Sequence, residues 1–209
     1  MIKKNDMDLF SSIEPSQHEF SIKNGSYYFE ENFFPKKYAD ALLERFVKNI
    51  EWKQESMNMY GKEVKFPRLT AWYGDDDKPY SFSGITLQPK PWTKELLYIK
   101  EQIEPIAGVT FNSVLLNLYR DGNDSISWHT DAEKELGQNP VIGSVNFGDT
   151  RTFQLKHIET GEKISIELAH GSMLIMKGEL QHFWKHQVPK TSKKKQARVN
   201  LTFRVIKDK

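Results

Sequence analysis

Two histidines and one aspartate have the side chains and the spacing to hold a metal ion. His129 and Asp131 stand two residues apart in the string Ser-Trp-His-Thr-Asp, and His186 comes much later. Alternate side chains of an extended strand leave the same face, so a strand would aim His129 and Asp131 at one point. Two imidazoles and a carboxylate form the facial triad of non-haem Fe(II) oxygenases, which leaves positions open for a co-substrate and dioxygen. The trio predicts an Fe(II) centre, although His-x-Asp with a distant His is a weak pattern alone.

A strand with two arginines is the second feature with chemical meaning. Residues 198–204 alternate between polar and apolar side chains. As a strand they would place four polar side chains on one face: Arg198, Asn200, Thr202 and Arg204. Guanidinium groups bind carboxylates through paired hydrogen bonds, so this face could hold a dicarboxylic acid. The alternative is the exposed polar face of an ordinary sheet.

Asn117 and Tyr119 form a third pair at a spacing of two. Their amide and phenol groups can each hydrogen-bond a carboxylate oxygen. A core tyrosine with a satisfied hydroxyl is the alternative for Tyr119. Residues 121–124 predict a turn, after which a strand from Ser125 would deliver His129 and Asp131.

Taken in order, these motifs resemble the AlkB family of Fe(II)/2-oxoglutarate-dependent nucleic-acid dealkylases. The resemblance extends from about Tyr60 to Ile206. It rests on Asn117-x-Tyr119-x-Asp121-Gly122, His129-x-Asp131, His186 and the strand at residues 198–204. The strings Pro67-Arg68 and 80–87 make the chain most similar to the DNA-repair branch. The resemblance aligns the third ligand with His186 rather than with His182, four residues earlier.

The resemblance implies how the site is divided between metal and co-substrate. The metal-binding and catalytic residues would be His129, Asp131 and His186. The 2-oxoglutarate pocket would comprise Asn117, Tyr119, Arg198, Asn200, Thr202 and Arg204. Arg198, helped by Tyr119, would pair with the distal carboxylate, and dioxygen would take an open position on the iron.

A nucleotide-recognition region at about residues 55–90 is also implied by the resemblance. The substrate-binding residues would be Tyr60, Gly61, Arg68, Tyr80, Phe82, Ser83 and Glu133. Tyr60 lies in a predicted turn where repair relatives carry a hydrophobic finger, and a surface tyrosine is the alternative. Phe82 and His129 would stack on the flipped base, with Tyr80 and Glu133 at its edges. Arg68 is a candidate phosphate or backbone contact. Ala132 stands where related human enzymes have a second Asp, which leaves the base preference open.

The function implied by the resemblance is DNA repair. The protein would oxidatively demethylate N-alkylated bases of the 1-methyladenine and 3-methylcytosine type, releasing formaldehyde and succinate. The partner would be alkylated DNA, with RNA as a further possibility. The alternatives are an oxygenase of the same fold that acts on RNA or protein, and a catalytically silent nucleic-acid-binding module. Residues 190–198 carry five basic residues and no acid, which suits either phosphate contacts or a solvated loop.

Composition narrows the class of protein. The 209 residues are 28% charged and 38% hydrophobic, as in a soluble globular domain, and the net charge is only +2. The absence of cysteine excludes disulfides, iron–sulfur clusters and thiolate-bound zinc. No apolar run reaches the length of a membrane span, and the first residues lack a signal-peptide core. We expect a cytoplasmic monomer, nuclear in a eukaryote, that does not associate with membranes.

The elements that must position these residues follow from the pattern along the chain. Residues 1–25 predict a flexible N-terminal arm, and residues 26–209 a single domain. Two helices are predicted, at Lys36–Asn49 and Thr93–Ile103. Further strands are predicted at 141–147, 151–157, 163–168 and 172–176. The fold class is α+β, mainly β: a sandwich or jelly roll buttressed by the N-terminal helices. The resemblance implies a double-stranded β-helix, which is such a jelly roll.

Overall fold

The computed structural model describes residues 18–59, 61–75, 80–82 and 85–207, without the side chains of residues 59, 80–82 and 85–87. Three α-helices lie in these ranges: α1 (Lys36–Asn49), α2 (Lys94–Ala107) and α3 (Leu180–Phe183). The strands are β1 (Glu19–Ile22), β2 (Gly25–Glu30), β3 (Ser56–Met59), β4 (Lys62–Lys65), β5 (Leu69–Gly74), β6 (Tyr80–Phe82), β7 (Ile85–Leu87), β8 (Ser113–Tyr119), β9 (Ile126–His129), β10 (Ile142–Gly148), β11 (Arg151–His157), β12 (Lys163–Leu168), β13 (Met173–Lys177), β14 (Trp184–Val188) and β15 (Arg198–Arg204).

Two antiparallel sheets form the body of the protein. The larger sheet has the order β1-β2-β13-β10-β15-β8-β5, and the smaller has the order β12-β11-β14-β9. An apolar cluster between them joins Leu115 and Tyr119 of the larger sheet to Phe153, Leu155 and Trp184 of the smaller. Two sheets packed in this way around a common core make a jelly roll, which confirms the predicted fold class. The short hairpins β3–β4 and β6–β7 lie outside both sheets.

The two long helices cover the other face of the larger sheet. Their apolar stripes, which include Phe46 and Ile99, pack against the apolar side of the sheet. α1 has the predicted bounds, but α2 continues four residues past its predicted end to Ala107. Burial of Ile103 and Ala107 outweighs the helix hydrogen bond that Pro105 cannot donate. In the described part of the chain, no helix combines the length and the apolar character needed to cross a bilayer.

β15 is the central strand of the larger sheet. One of its faces is turned toward the helices, and the other carries the polar side chains of the candidate functional site. It pairs with β8 on one side and β10 on the other, so Asn200 stands opposite both Asn117 and Asn146. Val199, Leu201 and Phe203 face the helices. The predicted alternation of this strand is therefore confirmed, and the alternative of an exposed polar face is wrong because three of its four polar side chains are buried: Arg198, Asn200 and Arg204.

The five strands predicted between residues 141 and 204 lie at or within one residue of their predicted bounds, whereas the N-terminal arm is shorter than predicted. The strands at 151–157, 163–168 and 198–204 have the predicted bounds, and those at 141–147 and 172–176 are displaced by one residue. The predicted arm at residues 1–25 does not extend through β1 and β2, since β2 pairs along β13 and adds this hairpin to the larger sheet. Asn24, with a positive φ of 55°, makes the turn between them. Residues 1–17 of the arm lie outside the described residues.

Candidate metal centre and co-substrate pocket

Two neighbouring strands of the smaller sheet bring the histidines together. His129 is the last residue of β9 and stands directly opposite His186 in β14, with 4.2 Å between the ring centroids. Asp131 lies two residues beyond the end of β9, outside the strand predicted to carry it. Its backbone N–H donates to Gln181 Oε1 at 2.9 Å instead of continuing the ladder. The three side chains meet although only two of them belong to strands.

The geometry of the trio suits a metal ion. One potential ligand atom from each of His129, Asp131 and His186 can be chosen so that all three lie within 4.8 Å of one another. Nδ1 of His129 lies 2.8 Å from the Ser127 carbonyl oxygen. That oxygen can only accept, so in the neutral imidazole Nδ1 carries the proton and Nε2 keeps a lone pair. Nε2 lies 3.8 Å from Asp131 Oδ1, which leaves both atoms available to one ion.

A buried arginine keeps Asp131 ionised. Arg204 donates from Nη2 at 2.8 Å and from Nε at 3.2 Å, in both cases to Asp131 Oδ2. Burial disfavours the carboxylate, but the charge of Arg204 together with His186 and His129 lowers the pKa of Asp131 to about 2. The carboxylate is therefore charged and ready to bind a cation at neutral pH.

His186 is neutral for a different reason. Burial, followed by the neighbouring His129, lowers the pKa of His186 to about 3. Its Nδ1 is buried and has no hydrogen-bond partner among the described residues. The ring packs 5.3 Å from that of Phe153, which holds it in place. A neutral imidazole is the form that coordinates metals, so no proton must leave His186 before an ion binds.

Arg198 provides the anion-binding end of an adjoining pocket. The side chain is 1% exposed, and burial lowers its pKa to about 10, so the guanidinium still carries its charge at neutral pH. Nη2 donates to Asn146 Oδ1 at 2.6 Å, whereas Nε and Nη1 are buried without a partner among the described residues. Unpaired buried donors on a cation are costly. A carboxylate would satisfy both, so Arg198 fits the distal end of 2-oxoglutarate.

The remaining predicted pocket residues line the same space between the sheets. Asn117, Tyr119, Asn200 and Thr202 border it together with the metal-site trio, Arg198 and Arg204. The Tyr119 ring lies beneath the Arg198 guanidinium, 5.0 Å from centroid to Cζ. The structure therefore brings together every residue predicted for the metal and the co-substrate. It also gives Arg204 a direct contact with Asp131, which was not predicted.

Two polar residues of β10, Ser144 and Asn146, hydrogen-bond to residues of this pocket and were not predicted. Asn200 Nδ2 donates to Ser144 Oγ at 2.9 Å and to Asn146 Oδ1 at 3.1 Å. Asn146 Oδ1 therefore accepts from Asn200 and Arg198 at once. A signal was present, because Ser144 and Asn146 are polar at a spacing of two in the otherwise apolar strand β10.

A cleft of about 520 Å³ opens beside the metal site. His129, Asp131 and Arg204 border both this cleft and the co-substrate pocket. Its other walls include Phe66, Trp128, Glu133 and Lys190, which combine aromatic faces with charges of both signs. A flat, cationic group would find stacking surfaces and a carboxylate there.

The predicted substrate residues differ in how much the structure says about them. Tyr60 and Ser83 lie outside the described residues, as do the side chains of Tyr80 and Phe82 in β6. Gly61, with φ of 77°, makes the exposed turn between β3 and β4. Glu133 lines the cleft.

Arg68 occupies a position that does not agree with the predicted phosphate contact. It is 7% exposed, donates from Nε to Asn117 Oδ1 at 2.9 Å, and lies 5.0 Å from the Phe66 ring centroid. A guanidinium held inside the cleft wall is shielded from a phosphate backbone at the surface. Its hydrogen bond instead connects the cleft to Asn117 in the co-substrate pocket.

The basic loop after β14 is fixed to the turn between β8 and β9. Thr191 N donates to the Gly122 carbonyl at 2.9 Å, and Lys195 Nζ lies 3.1 Å from Asp149 Oδ1. Lys193 and Lys194 are exposed between these attachments, and Lys190 borders the cleft. The loop therefore presents cations beside the cleft entrance.

Comparisons with known proteins agree with this geometry. Residues 26–204 match the 2OG-Fe(II) oxygenase superfamily. Alpha-ketoglutarate-dependent dioxygenase alkB homolog 3 of Mus musculus is 45% identical over 184 residues, covering 83% of this chain and 64% of that protein. DNA oxidative demethylase ALKBH2 of Homo sapiens is 39% identical over 184 residues, covering 83% of this chain and 70% of that protein. The chain spans 62% to 64% of the length of the alkB homolog 3 relatives.

Solved structures resemble the chain in fold. The structure of OsALKBH1 has a TM-score of 0.61 to this chain at 17% identity, covering 85% of this chain and 97% of that one. At that identity the likeness supports the jelly-roll fold alone.

Proposed function

Because the chain belongs to the 2OG-Fe(II) oxygenase superfamily, and within it to the AlkB homologues, we propose that it is a DNA repair dioxygenase. Its substrates would be N-alkylated bases of the 1-methyladenine and 3-methylcytosine type. One observation carries the proposal: His129 and Asp131 border both the pocket proposed for 2-oxoglutarate and the cleft of about 520 Å³. The name DNA oxidative demethylase, carried by the ALKBH2 relatives, supports the substrate class.

The proposed reaction removes the methyl carbon by oxidation. When bound, Fe(II) and 2-oxoglutarate would supply the oxidative chemistry that inserts one oxygen atom of dioxygen into a methyl C–H bond, with succinate and carbon dioxide as co-products. The resulting hydroxymethyl group leaves the base as formaldehyde. Its hydroxyl proton is lost as the C–N bond breaks, and the base regains its neutral, unmethylated form.

The protein side chains bind and orient in this scheme. His129, Asp131 and His186 would hold the iron, with Arg204 keeping one Asp131 oxygen engaged so that the other faces the ion. Arg198 would receive the distal carboxylate through Nε and Nη1.

A second set of proposed contacts concerns the base. A methylated base carries positive charge, which suits the carboxylate of Glu133 and the aromatic wall of the cleft. We assign base and strand contacts to a nucleotide-recognition region at about residues 55–90, within a single domain at residues 26–209. Tyr60, Gly61, Tyr80, Phe82 and Ser83 belong to that region.

Partner and compartment follow from the proposed substrate. Alkylated DNA is the proposed partner, with RNA as the alternative, since the cationic loop would attract either phosphate backbone. We expect a monomer that works where its nucleic acid is found, in the cytoplasm or, in a eukaryote, the nucleus. Light scattering of the purified protein tests whether it is a monomer.

The test is a reconstitution with defined substrates. The metal-free protein is loaded anaerobically with Fe(II) and 2-oxoglutarate and then exposed to air with oligonucleotides carrying 1-methyladenine or 3-methylcytosine. Matched single-stranded DNA, duplex DNA and RNA are compared by mass spectrometry. Loss of one methylene mass (14 Da, the replacement of methyl by hydrogen) in DNA, dependent on iron and 2-oxoglutarate, is expected. Succinate release with unchanged DNA would overturn the proposed substrate.

A pair of histidine variants controls this test. His186→Ala is expected to abolish demethylation because it removes a metal ligand. His182 lies four residues earlier on the exposed side of α3, outside the metal-site trio. His182→Ala is therefore expected to keep wild-type activity, and equal loss in both variants would contradict the assignment of His186.

A further inference from the structure

Asp131 has a backbone that the sheet does not hold. β9 ends at His129, so residues 130 and 131 lie outside the ladder between β9 and β14. The residue is nevertheless 3% exposed, and a buried amide must find an acceptor elsewhere. That acceptor is the side-chain oxygen Oε1 of Gln181, 2.9 Å from Asp131 N.

Gln181 is itself firmly placed. It is 1% exposed and belongs to α3, the short helix between β13 and β14. Its Nε2 lies 3.5 Å from Met176 Sδ, at the end of β13. The amide is thus oriented with its nitrogen toward Met176 and its oxygen toward Asp131. Five residues after Gln181, the same connection reaches His186 in β14.

Asp131 is consequently held at two separate points. Arg204 binds the carboxylate at Oδ2, and Gln181 binds the backbone N–H. Arg204 alone would fix one oxygen but would leave the chain beyond β9 free to turn about it. The second contact sets the direction in which Oδ1 leaves the backbone.

We propose that Gln181 is a positioning residue for the metal site: its side-chain oxygen holds Asp131 in the orientation needed to bind the metal ion together with His129 and His186. This inference rests on the metal site of the proposed function. Gln181 touches neither metal nor substrate in this role. Its effect passes through the Asp131 backbone, so its loss is expected to weaken metal binding without altering the ligand set.

The experiment measures metal affinity rather than turnover. Mn(II) is titrated into the metal-free protein under anaerobic conditions, and free Mn(II) is followed by electron paramagnetic resonance. Gln181→Met keeps the length and burial of the side chain but removes the acceptor. Partners that orient metal ligands typically change metal affinity by about 10- to 100-fold, so a loss of at least about 10-fold is expected. Gln181→Glu keeps an oxygen acceptor and is expected to bind Mn(II) more tightly than Gln181→Met.

A second glutamine supplies the matched control. Gln187 follows His186 in β14 and donates to Gln154 Oε1 at 2.7 Å, away from the metal site. Gln187→Met is expected to keep wild-type Mn(II) affinity. Should Gln181→Met fail to fold, Gln181→Asn decides the matter, since its amide is one methylene too short to reach Asp131 N. Wild-type affinity in Gln181→Met, or in Gln181→Asn where Gln181→Met does not fold, would overturn the inference. The same loss of affinity in Gln181→Met and Gln181→Glu would also overturn it.

One further variant separates this inference from the proposed function. His186→Ala removes a ligand and is expected to eliminate specific Mn(II) binding. Retained binding in His186→Ala would count against the metal site itself. Lost binding in His186→Ala with unchanged binding in Gln181→Met would count against the role of Gln181 alone.

Discussion

Arg204 engages only one oxygen of the Asp131 carboxylate. Both of its contacts, from Nη2 at 2.8 Å and from Nε at 3.2 Å, end on Oδ2. Oδ1 is left toward the His129 imidazole, 3.8 Å from Nε2. The two oxygens of one side chain therefore have different partners: one neutralises a buried cation and the other is free to bind an ion.

Removing Arg204 should destabilise the fold. Arg204→Met leaves Asp131 as a buried charge without its main counter-charge, and breaking such a pair typically lowers stability by about 3 to 5 kcal/mol. Urea unfolding of the metal-free protein measures the loss. Arg45→Met is the control, because Arg45 forms a surface ion pair with Glu95 and such pairs contribute about 1 kcal/mol or less. Similar losses in the two variants would contradict the importance of the buried pair.

Replacing Arg198 by lysine should weaken co-substrate binding. Arg198→Lys keeps a positive charge but loses the fork whose Nε and Nη1 are available to a carboxylate. Hydrogen bonds to charged groups contribute about 1.5 to 3 kcal/mol, so the dissociation constant of 2-oxoglutarate should rise about 10- to 100-fold. Calorimetric titration with Mn(II) present gives this value. Unchanged affinity would mean that the distal carboxylate binds elsewhere.

A glycine beside the pocket should be irreplaceable. Gly148 has φ of 99°, and a Cβ there would collide with the Ala197 carbonyl oxygen and crowd Arg198 Cα. Gly148→Ala should therefore lower stability and 2-oxoglutarate affinity together. Gly161→Ala isolates the backbone effect, because Gly161 has φ of 73° with nothing within 4 Å of the added Cβ. We expect it to lose about 1 to 2 kcal/mol in thermal unfolding with unchanged affinity. Equal losses of stability in Gly148→Ala and Gly161→Ala would mean that the surrounding backbone shifts to avoid the collision.

Asp124 should make stability depend on pH in the acid range. Burial alone would raise its pKa, but hydrogen bonds from the Arg120 side chain and backbone lower it below 3.8. A folded pKa below the unfolded value means that stability is present above about pH 4 and is lost as pH falls through the folded pKa. Asp124→Asn should therefore be less stable than wild type at pH 7, with a smaller fall towards pH 3. Parallel stability curves for the two proteins would exclude this role.

Local patterns were enough to predict the strands that carry the site. The alternation in β15 is unambiguous because every apolar residue faces the helices and every polar residue faces the pocket. The pair His129 and Asp131 could be found from its spacing, whereas the choice of His186 over His182 depended on the resemblance to the AlkB family. Strand alternation and the His-x-Asp spacing each depend on only a few consecutive residues.

Contacts between distant residues could not be read from these patterns. Gln181 and Asp131 are far apart in the chain, and nothing near either residue indicates that they meet. An arginine such as Arg68 is expected at the surface, and its burial depends on the position of Asn117 in another strand. The strand β1 was missed because its pairing with β2, and that of β2 with β13, is a tertiary choice.

The place of β15 in the larger sheet has a consequence for how the protein is made. β15 is the last of the described strands along the chain, yet it joins β10 to β8. Until residue 204 has emerged from the ribosome, the strands of this sheet can pair only as two separate groups, β1-β2-β13-β10 and β8-β5. During synthesis the nascent chain would expose both unpaired edges, and it would lack Arg198 and Arg204. Protection by chaperones should therefore matter most just before this strand emerges.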